Sequence, residues 1–497
     1  MHATIFRAAI AAVALVSTAP ALARSADAPV TEAELAAHIR ILADDAFEGR
    51  APGTEGEDRT IAYVVGEWAK AGLVAIPGSH TPWLQPVPLV ESRPEGGKAV
   101  FKAGGRAIAI GDDAVILTGR DAAVSLSDVP VVFVGYGVDG AGQVNADVKG
   151  KLAIMLFDNA PFGDKLPRYR ERRQMLADAG AAGVLVIATD ALPWDQLRRS
   201  LGSTTVRLAS ARPGAPVSGF LSAEAADTLL KRAGRDGAAA REAAKSADFK
   251  GTVLALSADL SAATATRPFA SHNILAKLPG ARPDGKAVVF LGHWDHLGIC
   301  EPEGAADRIC NGAIDNASGI AVLIEVAKRL GQGARPDRDI YFLATTAEEK
   351  GLLGAYYFAD HPVVPLSDIT VALNIDTIAI SPRGTPVATI GRGQPAYDAV
   401  VREVATGLGR TLDEDGEADP FVQRQDGWAL GAKGVVSLMA GGSFSDMALL
   451  EKFLEGDYHR AADNYSDAIE LGGAAEDADL HVALGRAFAD TKRWPAP

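Results

Sequence analysis

The chain has 497 residues, 48% of them apolar, and a formal net charge of −14. That length exceeds one ordinary core and calls for two or three domains, and the apolar fraction excludes long disorder. The acidic balance excludes a nucleic-acid-binding surface, which needs clustered Lys and Arg to neutralise phosphates.

Arg7, the apolar run from Ala8 to Val16 and the small-x-small site Ala21-Leu22-Ala23 read as a signal peptide over residues 1–23. Ala26-Asp27-Ala28 is a second cleavage candidate. The run is too short to span a bilayer. A periplasmic or secreted protein without a membrane anchor is therefore expected. Next, Thr31-Glu32-Ala33-Glu34 forms a capping box, which predicts a helix through Ile39 and Leu42. Gly49 to Thr54 breaks it. A second helix is expected from Glu57 to Ala71, with Ile61, Val64, Val65 and Trp68 on one face.

Between residues 96 and 262 strand-like runs dominate, such as Val129 to Val134 and Leu152 to Phe157, separated by Gly- and Asp-rich turns. This predicts a separate β-rich module. Gly135-Tyr136-Gly137-Val138-Asp139-Gly140 matches a dinucleotide-binding fingerprint. That motif works only when a helix follows at once and offers its N-terminus to the pyrophosphate. Here the chain runs through Lys149-Gly150 into another strand, so no nucleotide site is expected.

From residue 263 onward, short apolar strands alternate with helices. Ala287–Leu291, Ile340–Ala344, Ile369–Ile375 and Val435–Met439 read as strands buried on both faces of a parallel sheet. Ser318 to Leu330 reads as a helix. The alternation predicts a doubly wound α/β unit with a mixed, mostly parallel sheet, built from residues 29–95 and 263–497. Ala- and Gly-rich stretches near Gly237 and Gly472 read as helix and loop surface.

Zinc-friendly side chains follow the ends of these strands, where open α/β sheets place ligands. His293 and Asp295 follow one strand, Glu348 and Glu349 another, and Asp376 a third. Asp315 precedes a helix, and His459 sits in a late loop. Zinc takes imidazole nitrogen and carboxylate oxygen and leaves a position open for water. Two zincs sharing a carboxylate would activate one water. The adjacent Glu348 and Glu349 can divide the work, one as general base and one as ligand, provided the loop bends so that both face inward. Asp295 is placed to accept the second N–H of His293 and fix its tautomer. His296 is given no ligand role, because one His per metal fills the shell. Asp426 reads as a hydrogen-bond acceptor. Tyr458 reads equally as an electrophile or as a packed loop tyrosine. Cys300 and Cys310 close in an oxidising compartment; two free thiols are the alternative.

These segments resemble the co-catalytic di-zinc aminopeptidase family. The resemblance rests on Gly292-His293-Trp294-Asp295-His296-Leu297-Gly298, Asn311 to Gly319, Ala347-Glu348-Glu349-Lys350-Gly351, Asn374-Ile375-Asp376 and Tyr458-His459 with Asp463 beyond, all in the family's order. Gly49-Arg50 and Gly53-Thr54 resemble its N-terminal segment, and residues 96–262 resemble its inserted protease-associated domain. The resemblance implies a zinc-dependent aminopeptidase with two zinc ions and peptide substrates. His293 and Asp376 would hold one zinc, Glu349 and His459 the other, and Asp315 would bridge them; its peptide bond to Asn316 would be cis. Glu348 would be the general base to a zinc-bridged hydroxide, and Tyr458 matches a position that steadies the carbonyl oxygen in some relatives. Ile314, Thr377 and His459-Arg460-Ala461 depart from the usual pattern. A carboxypeptidase, a glutaminyl cyclase or a non-catalytic binding protein could share the scaffold; the complete ligand set weighs against the last two.

Overall fold

The computed structural model describes residues 28–76, 81–111, 113–163, 166–189, 192–201 and 204–494. The expected leader, residues 1–23, lies outside the described residues, as does most of the second cleavage candidate. Among the described residues no helix is long and apolar enough to cross a membrane.

The central sheet is mixed and mostly parallel. Strands Ser437–Gly441, Ile369–Asn374, Ala287–His293 and Asp339–Thr345 run parallel and adjacent in that order. The short strand Ala388–Ile390 and the long strand Thr252–Leu278 flank them antiparallel. Ala287–His293 shows why its sequence is apolar throughout. Val288 and Phe290 enter one core with helices Glu32–Leu42, Glu55–Lys70, Gly319–Gln332 and Gly472–Ala489. Val289 and Leu291 enter a second core, with Ala355 and Phe358 of helix Leu353–Asp360 and with Ala429 and Leu430 of helix Gly427–Gly431. Alternate side chains thus lose water on opposite faces, each contributing about 1.5–3 kcal/mol by burial. Thr31 caps the first helix in a full capping box with Glu34, and Trp68 packs 5.9 Å from the Phe342 ring.

One expectation fails at Gly472. Helix Gly472–Ala489 is buried along most of its length and is no surface element. Its small residues set how closely it lies on the sheet. A Cβ on Gly485 would come within 2.8 Å of the Phe290 ring, and one on Gly473 within 2.3 Å of the Ser381 carbonyl. Composition alone does not separate this close packing from solvent exposure. The Gly237–Ala244 helix, by contrast, buries only Ala244.

Residues 99–262 carry hydrophobic clusters of their own. Strands Ala123–Gly135, Leu152–Leu156, Gly183–Ile187 and Val217–Leu221 form a parallel layer there. Helices Tyr169–Asp178, Ala223–Arg232 and Gly237–Ala244 accompany it. The fingerprint-like Gly135–Gly140 leads to a strand, with no helix between. Two continuous antiparallel strands, Leu84–Ala103 and Thr252–Leu278, connect this module to the central sheet. Their pairing runs from Leu84 opposite Ile274 to Lys102 opposite Ser257, with one register shift between Pro94 and Gly96. Positions 96 and 263 face each other at that shift, so the chain passes between the two units as a paired ribbon.

Candidate metal centre

The C-terminal ends of three parallel strands converge on one rim. The strand ending at His293 presents its imidazole there. Asp376 lies two residues past the strand ending at Asn374. The strand ending at Thr345 runs into the Glu348–Leu352 turn, where Gly351 and Leu352 N–H groups donate to the Glu348 carbonyl at 2.7 and 2.8 Å. Ala347 and Leu352 adopt φ of 52° and 60°. This left-handed geometry is rare for residues with a Cβ. It supplies the bend that two adjacent glutamates need to face one site.

Asp315 lies at the centre. Its peptide bond to Asn316 is cis. One carboxylate oxygen lies 3.3 Å from His293 Nε2 and the other 3.4 Å from His459 Nε2. His293 Nε2 is also 3.2 Å from Asp376 Oδ1, and His459 Nε2 is 2.8 Å from Glu349 Oε2. The five side chains therefore divide into two groups that share Asp315. Two ligands of a tetrahedral zinc, at bond lengths of about 2.0–2.1 Å, lie about 3.3 Å apart. Three of the four separations fall within 0.1 Å of that edge. His293, Asp315 and Glu349 also offer donor atoms that all lie within 4.8 Å of one another. The donor set and its spacing fit zinc.

The electrostatics agree. Burial works against ionising Asp315, but its contacts with His293 and His459 outweigh this and hold it well below the usual carboxylate range. Burial likewise opposes charging His459, and the neighbouring Asp315 and Glu349 raise it to about 9 instead. Glu348 is pushed well above the usual range by burial, with Glu349, Asp426 and Asp376 adding to the push and His293 opposing it. It lies near His293 and makes no ion pair that would tie it up as a ligand.

Other side chains hold the loops in place. Asn316 Nδ2 donates to the carbonyls of His293 and Ile375 at 3.3 and 3.2 Å, and its Oδ1 accepts from the N–H of Gly319 and Thr377. One amide thus ties together three ligand-bearing segments. Asp463 accepts from the N–H groups of Ile314 and Asp315 at 2.8 and 3.0 Å, which sets the backbone under the shared carboxylate. Asp426 accepts from Thr345 Oγ1 at 2.5 Å, and burial raises it to about 6. Tyr458 stacks on His459 at 3.7 Å between ring centres. The disulfide Cys300–Cys310 is formed and closes the loop between His293 and Asp315.

Asp295 does not sit where its spacing suggests. Its carboxylate is 3.9 Å from His293 Nδ1, beyond hydrogen-bond reach, and its main-chain carbonyl takes that position at 3.1 Å. The carboxylate instead accepts the Glu348 N–H at 3.0 Å. The chain turns after His293, so residues two apart do not share a face. Asp295 thereby positions the Glu348 turn.

Arg50 is fully buried, and among the described residues its hydrogen bonds go to main-chain carbonyls rather than to a carboxylate. Its guanidinium donates to the carbonyls of Leu42, Trp294, Asn311 and Gly312. Burial lowers it to about 10, against the support of Asp463, Asp315, Asp295 and Glu349. It clamps the N-terminal segment to both the His293 and the Asp315 loops. Replacing Arg50 with Met is expected to destabilise the fold by at least about 3 kcal/mol, because several buried acceptors each lose about 1–3 kcal/mol of satisfaction. Lys should not rescue it, since an ammonium cannot span four carbonyls in a plane. Urea unfolding of the three proteins measures this; an unchanged midpoint for Arg50→Met would refute the clamp.

Residues 273–484, which include every candidate ligand, match Peptidase family M28. The likeness to the M28 peptidases rests on this stretch of the chain. It is 27% identical over 198 residues to a probable zinc metalloprotease of Leptosphaeria maculans, covering 39% of this chain and 44% of that protein. It is 26% identical over 342 residues to a probable leucine aminopeptidase 2 of Aspergillus oryzae, covering 65% and 59%. The chain thus spans about half the length of these two proteins. The aminopeptidase from Aneurinibacillus sp. strain AM-1 superposes over 93% of this chain and 94% of its own, with a TM-score of 0.56 at 17% identity. This likeness establishes a shared mixed α/β fold.

Proposed function

We propose that this M28 relative is an exported aminopeptidase that binds two zinc ions. The observation that carries the reading is Asp315, whose two oxygens face His293 and His459 separately. His293 and Asp376 would hold one zinc, Glu349 and His459 the other. The metals would supply a water acidic enough to act as a nucleophile at neutral pH and positive charge for the developing oxyanion. Glu348, held outside the ligand set, would serve as the general base that accepts a proton from the nucleophile and returns it to the departing amine. Its turn, pinned by Asp295, keeps the carboxyl near His293 and out of the ligand set. The leader-like residues 1–23 support export, and the likeness to the probable leucine aminopeptidase 2 supports removal of N-terminal residues.

A pocket beside Asp376 and Tyr458 is lined by Ile390, Phe421, Met439, Phe444 and Leu450. Its walls suit an apolar terminal side chain. We expect about two zinc per chain, and faster cleavage of leucyl or methionyl peptides than of glycyl ones, which leave the apolar walls unfilled. Metal analysis with a panel of free and N-blocked peptides tests this. Cleavage of blocked peptides alone would exclude the aminopeptidase reading.

A further inference from the structure

His296 was set aside as a ligand, yet it lies inside the centre. It is fully buried. Neither ring nitrogen has a hydrogen-bond partner. Nδ1 nevertheless lies 2.6 Å from Glu349 Oε1, within hydrogen-bond distance, and that oxygen has no other partner among the described residues. The other Glu349 oxygen is the one that faces His459. The ring is seated against Gly312, whose φ is 57° and where a Cβ would come within 2.5 Å of it. A side chain at position 312 would collide with the imidazole and, closer still at 2.1 Å, with the Asp315 main-chain oxygen. Leaving a buried polar group without a partner costs about 1–3 kcal/mol, and here two such groups touch only each other.

The 2.6 Å separation distinguishes two roles. Ligands of one zinc lie about 3.3 Å apart, as those around Asp315 do. A contact of 2.6 Å is close to that of a charge-assisted hydrogen bond. We infer that His296 is a positioning residue that donates Nδ1–H to Glu349 Oε1 and so reserves Oε2 for the metal. The inference rests on the two-zinc reading. Hydrogen bonds to a ligating carboxylate fix its orientation, and their loss typically weakens metal binding about 10–100-fold.

The test uses amide geometry. In His296→Asn the amide nitrogen takes the place of Nδ1; in His296→Gln it takes the place of Nε2. Zinc titration against a competing chelator should give the Asn variant an affinity within about threefold of wild type. The Gln variant should bind its weaker zinc about 10–100-fold less tightly, while both variants still reach the wild-type stoichiometry. Cobalt-substituted protein should show a shifted visible spectrum in the Gln variant alone. Wild-type affinity and spectrum in both variants, or equal weakening in both, would overturn the inference. Loss of one metal at saturation would also overturn it, by making His296 a ligand. A wild type that binds no zinc in the same titration would instead remove the two-zinc reading.

Discussion

Replacing Asp315 with Ala is expected to cost the protein both metals and its activity together. Each of the other four candidate ligands serves one side of the centre. Asp315 serves both, with 3.3 Å to His293 and 3.4 Å to His459. Its removal leaves one imidazole and one carboxylate on each side, short of the three protein ligands usual for a catalytic zinc. The affinity loss should exceed the roughly 10–100-fold typical of an outer hydrogen-bond partner. Zinc content after dialysis should fall well below one per chain, and peptide hydrolysis to background. Retention of a full complement of tightly bound zinc would refute the shared-ligand assignment.

Glu348→Gln separates chemistry from metal binding. The substitution preserves shape and leaves the main-chain N–H to Asp295 in place. Zinc content should remain at the wild-type level. Removing a positioned general base typically costs about 10²–10⁴-fold in rate. The loss should fall on kcat, with KM little changed, because the group acts on the transition state. Steady-state kinetics with a leucyl peptide, alongside metal analysis, measures both. Wild-type kcat in this variant would show that another group moves the proton.

Much of this arrangement could be read from residue order, and each failure has its own physical cause. The buried strands were legible because a run such as Val288-Val289-Phe290-Leu291 must cover both faces of a sheet. The clustering of the candidate ligands was legible because residues that follow such strands meet at one rim. The turn at Ala347 was legible as a requirement, since two neighbouring glutamates cannot otherwise face one way. Arg50, Asn316 and Asp463 act by bonding main-chain groups of distant segments. Main-chain partners leave no signature in side-chain type, so spacing could not assign these roles. Asp295 was misplaced for the opposite reason. Its nearness to His293 in sequence suggested a contact that the turn after His293 removes. His296 was passed over by counting one imidazole per metal, a rule blind to the groups that hold ligands in place.

The ribbon formed by Leu84–Ala103 and Thr252–Leu278 bears on how this centre assembles. Arg50 must find Trp294 across 244 residues of chain. Closing a loop of that length costs on the order of 5 kcal/mol in chain entropy before any contact offsets it. Once Leu84 pairs with Ile274, the remaining search spans roughly fifty residues, and the cost drops by about 1.4 kcal/mol, close to a tenfold gain in closure probability. The inserted module thereby shortens the path between the two parts of the domain it interrupts.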